Sequence, residues 1–428
     1  MKVGFITLGC KVNIYESNAL KEALENNGFE VKEASDDCDV FVINTCSVTN
    51  MADAKSRKMI RKCIKMNPNA LICACGCYVQ TNEEALSIEG VDILVGNGNK
   101  KEIVDKILEA INKPKKEKYV NVIDVLHMHT YEPLDVTSYD HTRAFVKIED
   151  GCENFCSFCI IPFARGPVRC KNADKVIEEL KNITLNGYKE VVLSGIHTGR
   201  YFDNGLNFSG LVERILKEVP LLKRLRVSSI EINEVDDHFI ELMKNSKVIA
   251  NHLHLPLQCG SDPVLKAMNR RYDLAFFTER VRKIREARPD ISLTADVIVG
   301  FPTETDEEYL KSKAYCKEIG FSKIHVFPYS RRAHTKAALM PQVKDSIKKE
   351  RALDLIKLSD ELELEYANKF LGKTLDVIPE QKLNSKEMVG HTSNFLQVIL
   401  PYDEKLIGED ISVVIDKIQN GKIYGKLI

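Results

Sequence analysis

No unbroken apolar stretch in this sequence comes near the roughly 20 residues that a bilayer-spanning helix needs, which argues against a helical membrane protein. An excess of charge of either sign is also missing: 61 Lys and Arg face 62 Asp and Glu, for a net charge of −1. A global basic field is therefore not available to hold nucleic acid, and any such contact has to come from local patches. The opening Met1-Lys2-Val3-Gly4-Phe5-Ile6-Thr7-Leu8-Gly9-Cys10 is too short in its apolar part for a secretory signal and reads as a first strand. A cytoplasmic location without membrane partners is the expectation.

What the chain has in quantity is cysteine, 13 in all, an odd and bunched set. In a cytosolic protein that argues against a disulfide framework and for metal or redox chemistry. With 428 residues, 44% hydrophobic and 29% charged, the chain is of globular composition and long enough for two or three domains.

The densest cysteine group is Gly151-Cys152-Glu153-Asn154-Phe155-Cys156-Ser157-Phe158-Cys159. It follows the apolar run Ala144-Phe145-Val146-Lys147-Ile148, so it is expected on a loop leaving the C-terminal end of a strand, where the sites of barrels and α/β sheets lie. Three thiolates need a fourth ligand to make a structural zinc site, whereas a cubane iron–sulfur cluster takes three cysteines and leaves one iron free. From spacing alone, a zinc knot or three incidental cysteines stays open.

Upstream, three near-continuous apolar runs each end at a cysteine: Val3 to Gly9 before Cys10, Asp39 to Thr45 before Cys46, and Ala70 to Gly76 before Cys77. Helix-like stretches at 16–27 and 50–65 separate them. Strands and helices in that alternation predict a parallel, Rossmann-like sheet with right-handed crossovers, so the three strands finish on one edge and their cysteines converge. Cys38 precedes its strand and Cys63 falls in a helix, so neither is expected to ligate. Cys73 and Cys75 share a strand face with Cys77 by alternation and compete with it. Buried small hydrophobes remain the alternative to a metal site. The basic run Lys55, Arg57, Lys58, Arg61, Lys62 and Lys65 is a solvated helix face or a phosphate-contacting surface.

From residue 144 a strand-helix pattern repeats six times, with strands expected at Ala144–Ile148, Glu190–Ser194, Arg224–Ser228, His252–Leu257, Ser292–Val299 and Lys323–Phe327. This predicts a TIM-like β/α barrel, partial or complete, whose strand exits carry small and polar residues, among them His197 and Gln258, which are either site or ordinary loop residues. A charged helix from Lys344 to Phe370 precedes five short β-patterned runs, Thr374–Pro379, Met388–Thr392, Phe395–Leu400, Ile411–Ile418 and Lys422–Leu427. They suggest a small closed barrel, either a nucleic-acid grip or a structural or dimerising unit.

The C-x3-C-x2-C spacing with Phe158 before its last cysteine resembles the signature of radical S-adenosylmethionine (SAM) enzymes. With the upstream trio and the terminal barrel, nearly the whole chain is similar to the radical-SAM methylthiotransferase family. The resemblance implies an iron–sulfur domain at 1–112, a linker at 113–143, a radical-SAM barrel at 144–370 and a TRAM barrel at 371–428. It implies two [4Fe-4S] clusters, one on Cys10, Cys46 and Cys77 and one on Cys152, Cys156 and Cys159, the six cysteines being both catalytic and metal-binding. SAM-pocket positions carried over are Phe158, Ser194, Gly195, Ser229, Glu231, Gln258 and Ile298.

Within the family, Thr7-Leu8-Gly9-Cys10-Lys11-Val12-Asn13, Cys159-Ile160-Ile161-Pro162-Phe163-Ala164-Arg165-Gly166 and Val326-Phe327-Pro328-Tyr329-Ser330 resemble the branch acting on threonylcarbamoyl-adenosine at position 37 of the tRNA anticodon loop. The implied reaction replaces an unactivated C2–H of the base by a methylthio group, with SAM as radical source and methyl donor and the second cluster carrying sulfur. It needs an external electron donor and a sulfur donor. The other readings are methylthiolation of isopentenyl-adenosine or of a ribosomal-protein aspartate, and an iron–sulfur RNA-binding protein without turnover. The chain departs from the family at Cys170, within Arg169-Cys170-Lys171 where Arg-Ser-Arg is common, and at His334, where Gly is common.

Overall fold

The computed structural model describes residues 1–111, 118–139 and 141–428. The chain begins with a six-stranded parallel sheet built from Lys2–Thr7, Glu30–Glu33, Val40–Thr45, Leu71–Gly76, Ile93–Val95 and Tyr119–Asn121. Lys2–Thr7 lies second in the order and Glu30–Glu33 is the edge beyond it; Val40–Thr45, Leu71–Gly76, Ile93–Val95 and Tyr119–Asn121 follow on the other side. The three strands expected from their apolar runs are the adjacent central ones, and Val40–Thr45 and Leu71–Gly76 are buried throughout. The other three are short or more polar and carry no such run.

The helix expected at 16–27 spans Lys11–Glu25. Its start escapes pattern reading because Cys10 occupies the N-cap without a side-chain hydrogen bond. Part of the expected linker, 113–143, lies outside the described residues. In its described part, Tyr119–Asn121 adds to the sheet and a turn of 3-10 helix covers Val125–His127.

The middle of the chain forms two three-stranded parallel sheets. One has Arg143–Lys147, Glu190–Ser194 and Arg224–Val227; the other has His252–His254, Ser292–Val299 and Lys323–Pro328. A bridge between Leu225 and Ile249 links them into one open, curved wall. The helices behind it start where they do because Asn172, Asn207, Asp236, Asp273 and Thr305 each accept a hydrogen bond from a backbone N–H of the following first turn. Each such cap is worth about 1 kcal/mol. Helix Asp345–Asn368 closes this unit and packs on the last strand.

The five C-terminal strands, Thr374–Lys382, Glu387–Thr392, Gln397–Pro401, Ile411–Gln419 and Lys422–Leu427, form a closed barrel. The first continues through Pro379, which sits at a bulge where its missing N–H costs no ladder bond. The third starts later than its apolar run because Phe395 has φ +64° and leaves the strand direction.

The main core is continuous across domains. Tyr15 and Ala19 of the first helix join the same apolar cluster as Val146, Leu193 and Val227 of the barrel strands. The Tyr15 hydroxyl lies 2.7 Å from Leu134 O and 3.1 Å from a Glu179 carboxylate oxygen, either of which accepts its proton. The first helix is thus a joint between the two units.

Candidate functional site

Because strands Lys2–Thr7, Val40–Thr45 and Leu71–Gly76 are parallel neighbours, their C-terminal ends share one edge, and Cys10, Cys46 and Cys77 stand there together. Gly9, at φ +99°, is required by that crowding: a Cβ on it would stand 2.9 Å from Cys46 Cβ and 3.0 Å from its Sγ. Gly76 is held at φ +96° as well, with Thr45 O only 2.6 Å from where a Cβ would be. That turn ends the strand and starts the helix Cys77–Thr81, so Cys77 leaves the alternation instead of sharing a face with Cys73 and Cys75. Those two face the apolar core with Val3, Leu20 and Val42, and burial pushes the Cys75 thiol up to about 12. Cys38 and Cys63 lie in the core on the sheet's other side.

Hydrogen bonds hold the Cys46 backbone and the Cys77 thiol in place. Ser56 Oγ sits 3.2 Å from Cys46 N and donates to Cys46 O at 2.9 Å. Asn97 Nδ2 donates to Cys77 Sγ at 3.4 Å and to Ala164 O of the barrel unit at 2.7 Å. Burial raises the Cys10 thiol, against the pull of Arg165, and pushes Cys46 up to about 11.

The second trio leaves the strand Arg143–Lys147 and the short Glu149–Asp150. Its loop is tied down by Cys152 N donating to Gly166 O, Ser157 N to Met268 O and Ser157 Oγ to Ala267 O, all within 2.9 Å. Burial raises Cys152 and pushes Cys159 up to about 12. Arg270 Nη1 donates to Cys156 Sγ at 3.2 Å while its other terminal nitrogen pairs with Glu231. His197 Nδ1 lies 3.6 Å from Cys152 Sγ and its Nε2 is 2.6 Å from Glu234.

All thirteen cysteines are free. A thiol must lose its proton when a metal binds it, so loading of such a site releases protons. Among the described residues no three His, Cys, Asp or Glu side chains are gathered as one ion requires. A cubane bonds each thiolate through a different iron, so its trio stands wider, and an all-thiolate donor set suits it.

Between the trios lies a cavity of about 590 Å³, lined from the first domain by Cys10, Lys11 and Val48 and from the barrel by Cys152, Cys156 and Cys159. Volumes of this order hold a nucleoside-sized ligand. Phe158, Gly195, Ser229, Glu231 and Gln258 line it, as does His197. Ser194 and Ile298 do not. Ser194 is buried at the strand end with its Oγ directed at Val192 O, and Ile298 packs against the barrel core with its N–H donating to Gln258 O.

Residues that sequence reading missed complete the wall: Lys11, Arg143, Arg226, Arg270 and Phe395. Lys11 adjoins a marked cysteine, and Arg270 lies in the basic Asn269-Arg270-Arg271 stretch, so both had a weak signal. Phe395 had none, since it arrives from the C-terminal barrel. There its ring stacks between His252 and His391, at 4.7 and 4.8 Å, with the Arg226 guanidinium 4.7 Å from its centre. Burial, then Arg143, lowers the Lys11 pKa.

Beneath the first trio the two units meet in a buried ionic knot. Glu16 pairs with Lys100 of its own domain and with Lys147 and Arg165 of the barrel, while Asp150 pairs with Lys147, Arg165 and Arg169. Four cations here meet two carboxylates, and the surplus positive charge faces the thiol trio through Arg165. An anionic thiolate-bound cluster is what such a surplus stabilises.

The two departures from family pattern have different characters. Cys170 Sγ accepts from Phe202 N at 3.2 Å, away from either trio. His334 has φ +66°, a left-handed conformation that costs a β-carbon residue but that glycine adopts freely.

An open β/α wall carrying a C-x3-C-x2-C loop at its strand exits defines a radical SAM protein. The Radical SAM superfamily model matches residues 146–316, and the model of Uncharacterized protein family UPF0004 matches residues 2–96. The chain is 44% identical to the threonylcarbamoyladenosine tRNA methylthiotransferase MtaB of Bacillus subtilis, covering 97% of this chain and 94% of that one. It is 39% identical to the protein of the same name from Aquifex aeolicus, over 91% and 96%. The chain belongs to this family of radical SAM tRNA methylthiotransferases. Among solved structures, the radical SAM methyltransferase TsrM from Kitasatospora setae matches with TM-score 0.56 at 16% identity, covering 79% of this chain and 77% of that one, a likeness of fold.

Proposed function

We propose that this chain methylthiolates C2 of N6-threonylcarbamoyladenosine in tRNA, with one [4Fe-4S] cluster on Cys152, Cys156 and Cys159 and a second on Cys10, Cys46 and Cys77. The reading rests on one observation above all: a ligand of the first trio and all three of the second line the same cavity. The names of the most similar relatives give the nucleoside. When bound, SAM and the clusters supply radical, methyl and sulfur chemistry that no side chain can provide at an unactivated C–H.

The chain's own part is position. Glu231, Gln258, Ser229 and Gly195 offer polar and close-approach contacts to a ligand beside Cys156 and Cys159, with Phe158 as an apolar wall held edge-on against Phe301 at 6.4 Å. Arg270 neutralises charge gathered at Cys156 and orients Glu231. Phe395 and the guanidinium of Arg226, 4.7 Å from its ring centre, form the wall on the C-terminal barrel side. A base extruded from a single-stranded loop then meets both trios at once. The domain bounds 1–112, 144–370 and 371–428 belong to the same proposal, as do a cytoplasmic location and outside donors of electrons and sulfur.

Nucleoside mass analysis of tRNA from a deletion strain tests it. Loss of the methylthio group from threonylcarbamoyladenosine alone is expected, restored by the wild-type chain. Loss from isopentenyladenosine instead refutes it.

A further inference from the structure

Lys11 is the first residue of helix Lys11–Glu25, where the unpaired N–H groups and the helix dipole favour a negative charge. A lysine there is electrostatically out of place unless an anion comes to it. It lines the cavity together with Arg143 and Arg226. Those two have partners: Arg143 pairs with Glu380 at 3.2 Å, and Arg226 pairs with Glu190 at 2.8 Å and donates to Thr392 O and Ser393 O. The carboxylate in that part of the wall, Asp296, lies 3.3 Å from His254 Nε2. Among the described residues, Lys11 has no carboxylate within ion-pair distance.

A cation, a helix N-terminus and two further guanidiniums converge on this part of the cavity, whose two lining carboxylates, Glu231 and Asp296, lie against Arg270 and His254, and the arrangement is complementary to an anionic ligand group. On the proposed function, on which this inference rests, the substrate base carries such a group: the threonylcarbamoyl substituent ends in a free carboxylate, whereas an isopentenyl substituent is a hydrocarbon. We propose that Lys11, backed by the field of Arg143 and Arg226, receives the carboxylate of the N6-threonylcarbamoyl group and is a specificity-determining residue of this enzyme. A charge-assisted hydrogen bond of this kind is stronger than a neutral one because both partners are ionised, and Lys11, which is exposed, is free to reach a ligand entering the cavity. The pairing also fixes the substituent at the end of the helix that starts beside Cys10, which orients the base relative to the first trio.

The test uses the full chain, anaerobically reconstituted, and three anticodon stem-loops that differ only at position 37: threonylcarbamoyladenosine, isopentenyladenosine and unmodified adenosine. Binding is read by fluorescence anisotropy without SAM, so the readout does not pass through turnover. The wild-type chain is expected to bind the threonylcarbamoyl loop at least about tenfold more tightly than the unmodified one. In Lys11→Met the ratio of these two affinities falls about tenfold, and Lys11→Arg restores most of it. A ratio that stays constant in Lys11→Met, whether both affinities fall together or neither changes, overturns the inference. Methylthiolation of the isopentenyl loop in place of the threonylcarbamoyl loop by the wild-type chain sinks the functional reading itself and is distinguished from the first failure by being seen without any substitution.

Discussion

Arg165 Nη1 stands 2.6 Å from Glu16 Oε1, an ion pair that crosses from the barrel unit to the first domain with both side chains at most 1% exposed. The same guanidinium donates through Nη2 to Asn13 Oδ1 at 2.6 Å, and Asn13 Nδ2 in turn donates to Leu8 O and Thr45 O, the carbonyls that precede Gly9 and Cys46. A residue six beyond the second cysteine trio on the chain is therefore a brace for the first. The distance between the two candidate cluster sites is set by this contact as much as by the packing of Tyr15.

Breaking that pair leaves a buried charge without its partner. Arg165→Met and Glu16→Gln are each expected to cost about 3–5 kcal/mol, because removing one member exposes the other to the full desolvation penalty. Denaturant unfolding of the full chain measures it. The acid side carries a sign as well. Burial disfavours the Glu16 carboxylate, but Arg165, Lys100 and Lys147 outweigh it and hold its pKa well below the usual 4.5. Its contribution is fully present above about 4.5 and is lost as pH falls through the lower folded-state value. Glu16→Gln therefore removes part of the wild type's loss of stability below pH 4.5. An unchanged acid slope contradicts the assignment.

Arg270 tunes the second trio. Its donation to Cys156 Sγ places a positive charge against the sulfur, so Arg270→Gln is expected to make a cluster there harder to reduce. At an effective dielectric near 20 and about 5.5 Å between guanidinium and cluster centre, the lost Coulomb energy of roughly 3 kcal/mol corresponds to a fall of about 130 mV in a one-electron midpoint potential. Potentiometric titration followed by electron paramagnetic resonance reads this directly. A potential that rises or does not move shows that the contact has no electronic role.

The helix Asn50–Met66 begins at the cavity rim and carries its cations away from it. Asn50 N donates to Ser330 Oγ at 3.1 Å, and Arg332 reaches from the barrel to Asp53 at 2.7 Å. Along the roughly 25 Å that 17 helical residues span, Lys58, Arg61, Lys62 and Lys65 are exposed, and among the described residues they form no ion pairs. These cations suit the phosphates of RNA leaving the cavity. Replacing Arg61, Lys62 and Lys65 with alanine is expected to weaken tRNA binding at least about tenfold at low salt. The slope of log affinity against log salt should become shallower by about 2, at roughly 0.7 per lost single-strand contact. An unaltered slope returns this helix face to the solvent.

How far the sequence announced all this depends on the kind of signal. The cysteine-ended strands were legible because a parallel strand buried on both faces is a continuous apolar run, as in Val40–Thr45. Strand Glu30–Glu33 has no such pattern, being at the sheet edge and half exposed, and Ile93–Val95 is only three residues long. Cys77 was separable from Cys75 only through the φ of Gly76, which no periodicity encodes. Five of the seven carried-over pocket positions line the cavity, because strand exits fix a loop's location. Ser194 ends its strand with its side chain buried, and Ile298, still within its strand, packs half-buried against the core. Phe395 and the ionic knot were invisible for one reason: contacts such as Arg226 with Phe395 and Glu16 with Arg165 join residues about 150 or more apart, and only the folded chain brings them together.

The most direct measurement of the central claim, that two separate cysteine trios each carry a cluster and open on one cavity, is iron per chain after anaerobic reconstitution. Two cubanes require about eight irons in the wild type and about four in either the Cys10, Cys46 and Cys77 triple alanine variant or the Cys152, Cys156 and Cys159 one. SAM cleavage to 5′-deoxyadenosine should survive only in the first variant. About four irons in the wild type, or zinc in place of iron, would contradict it.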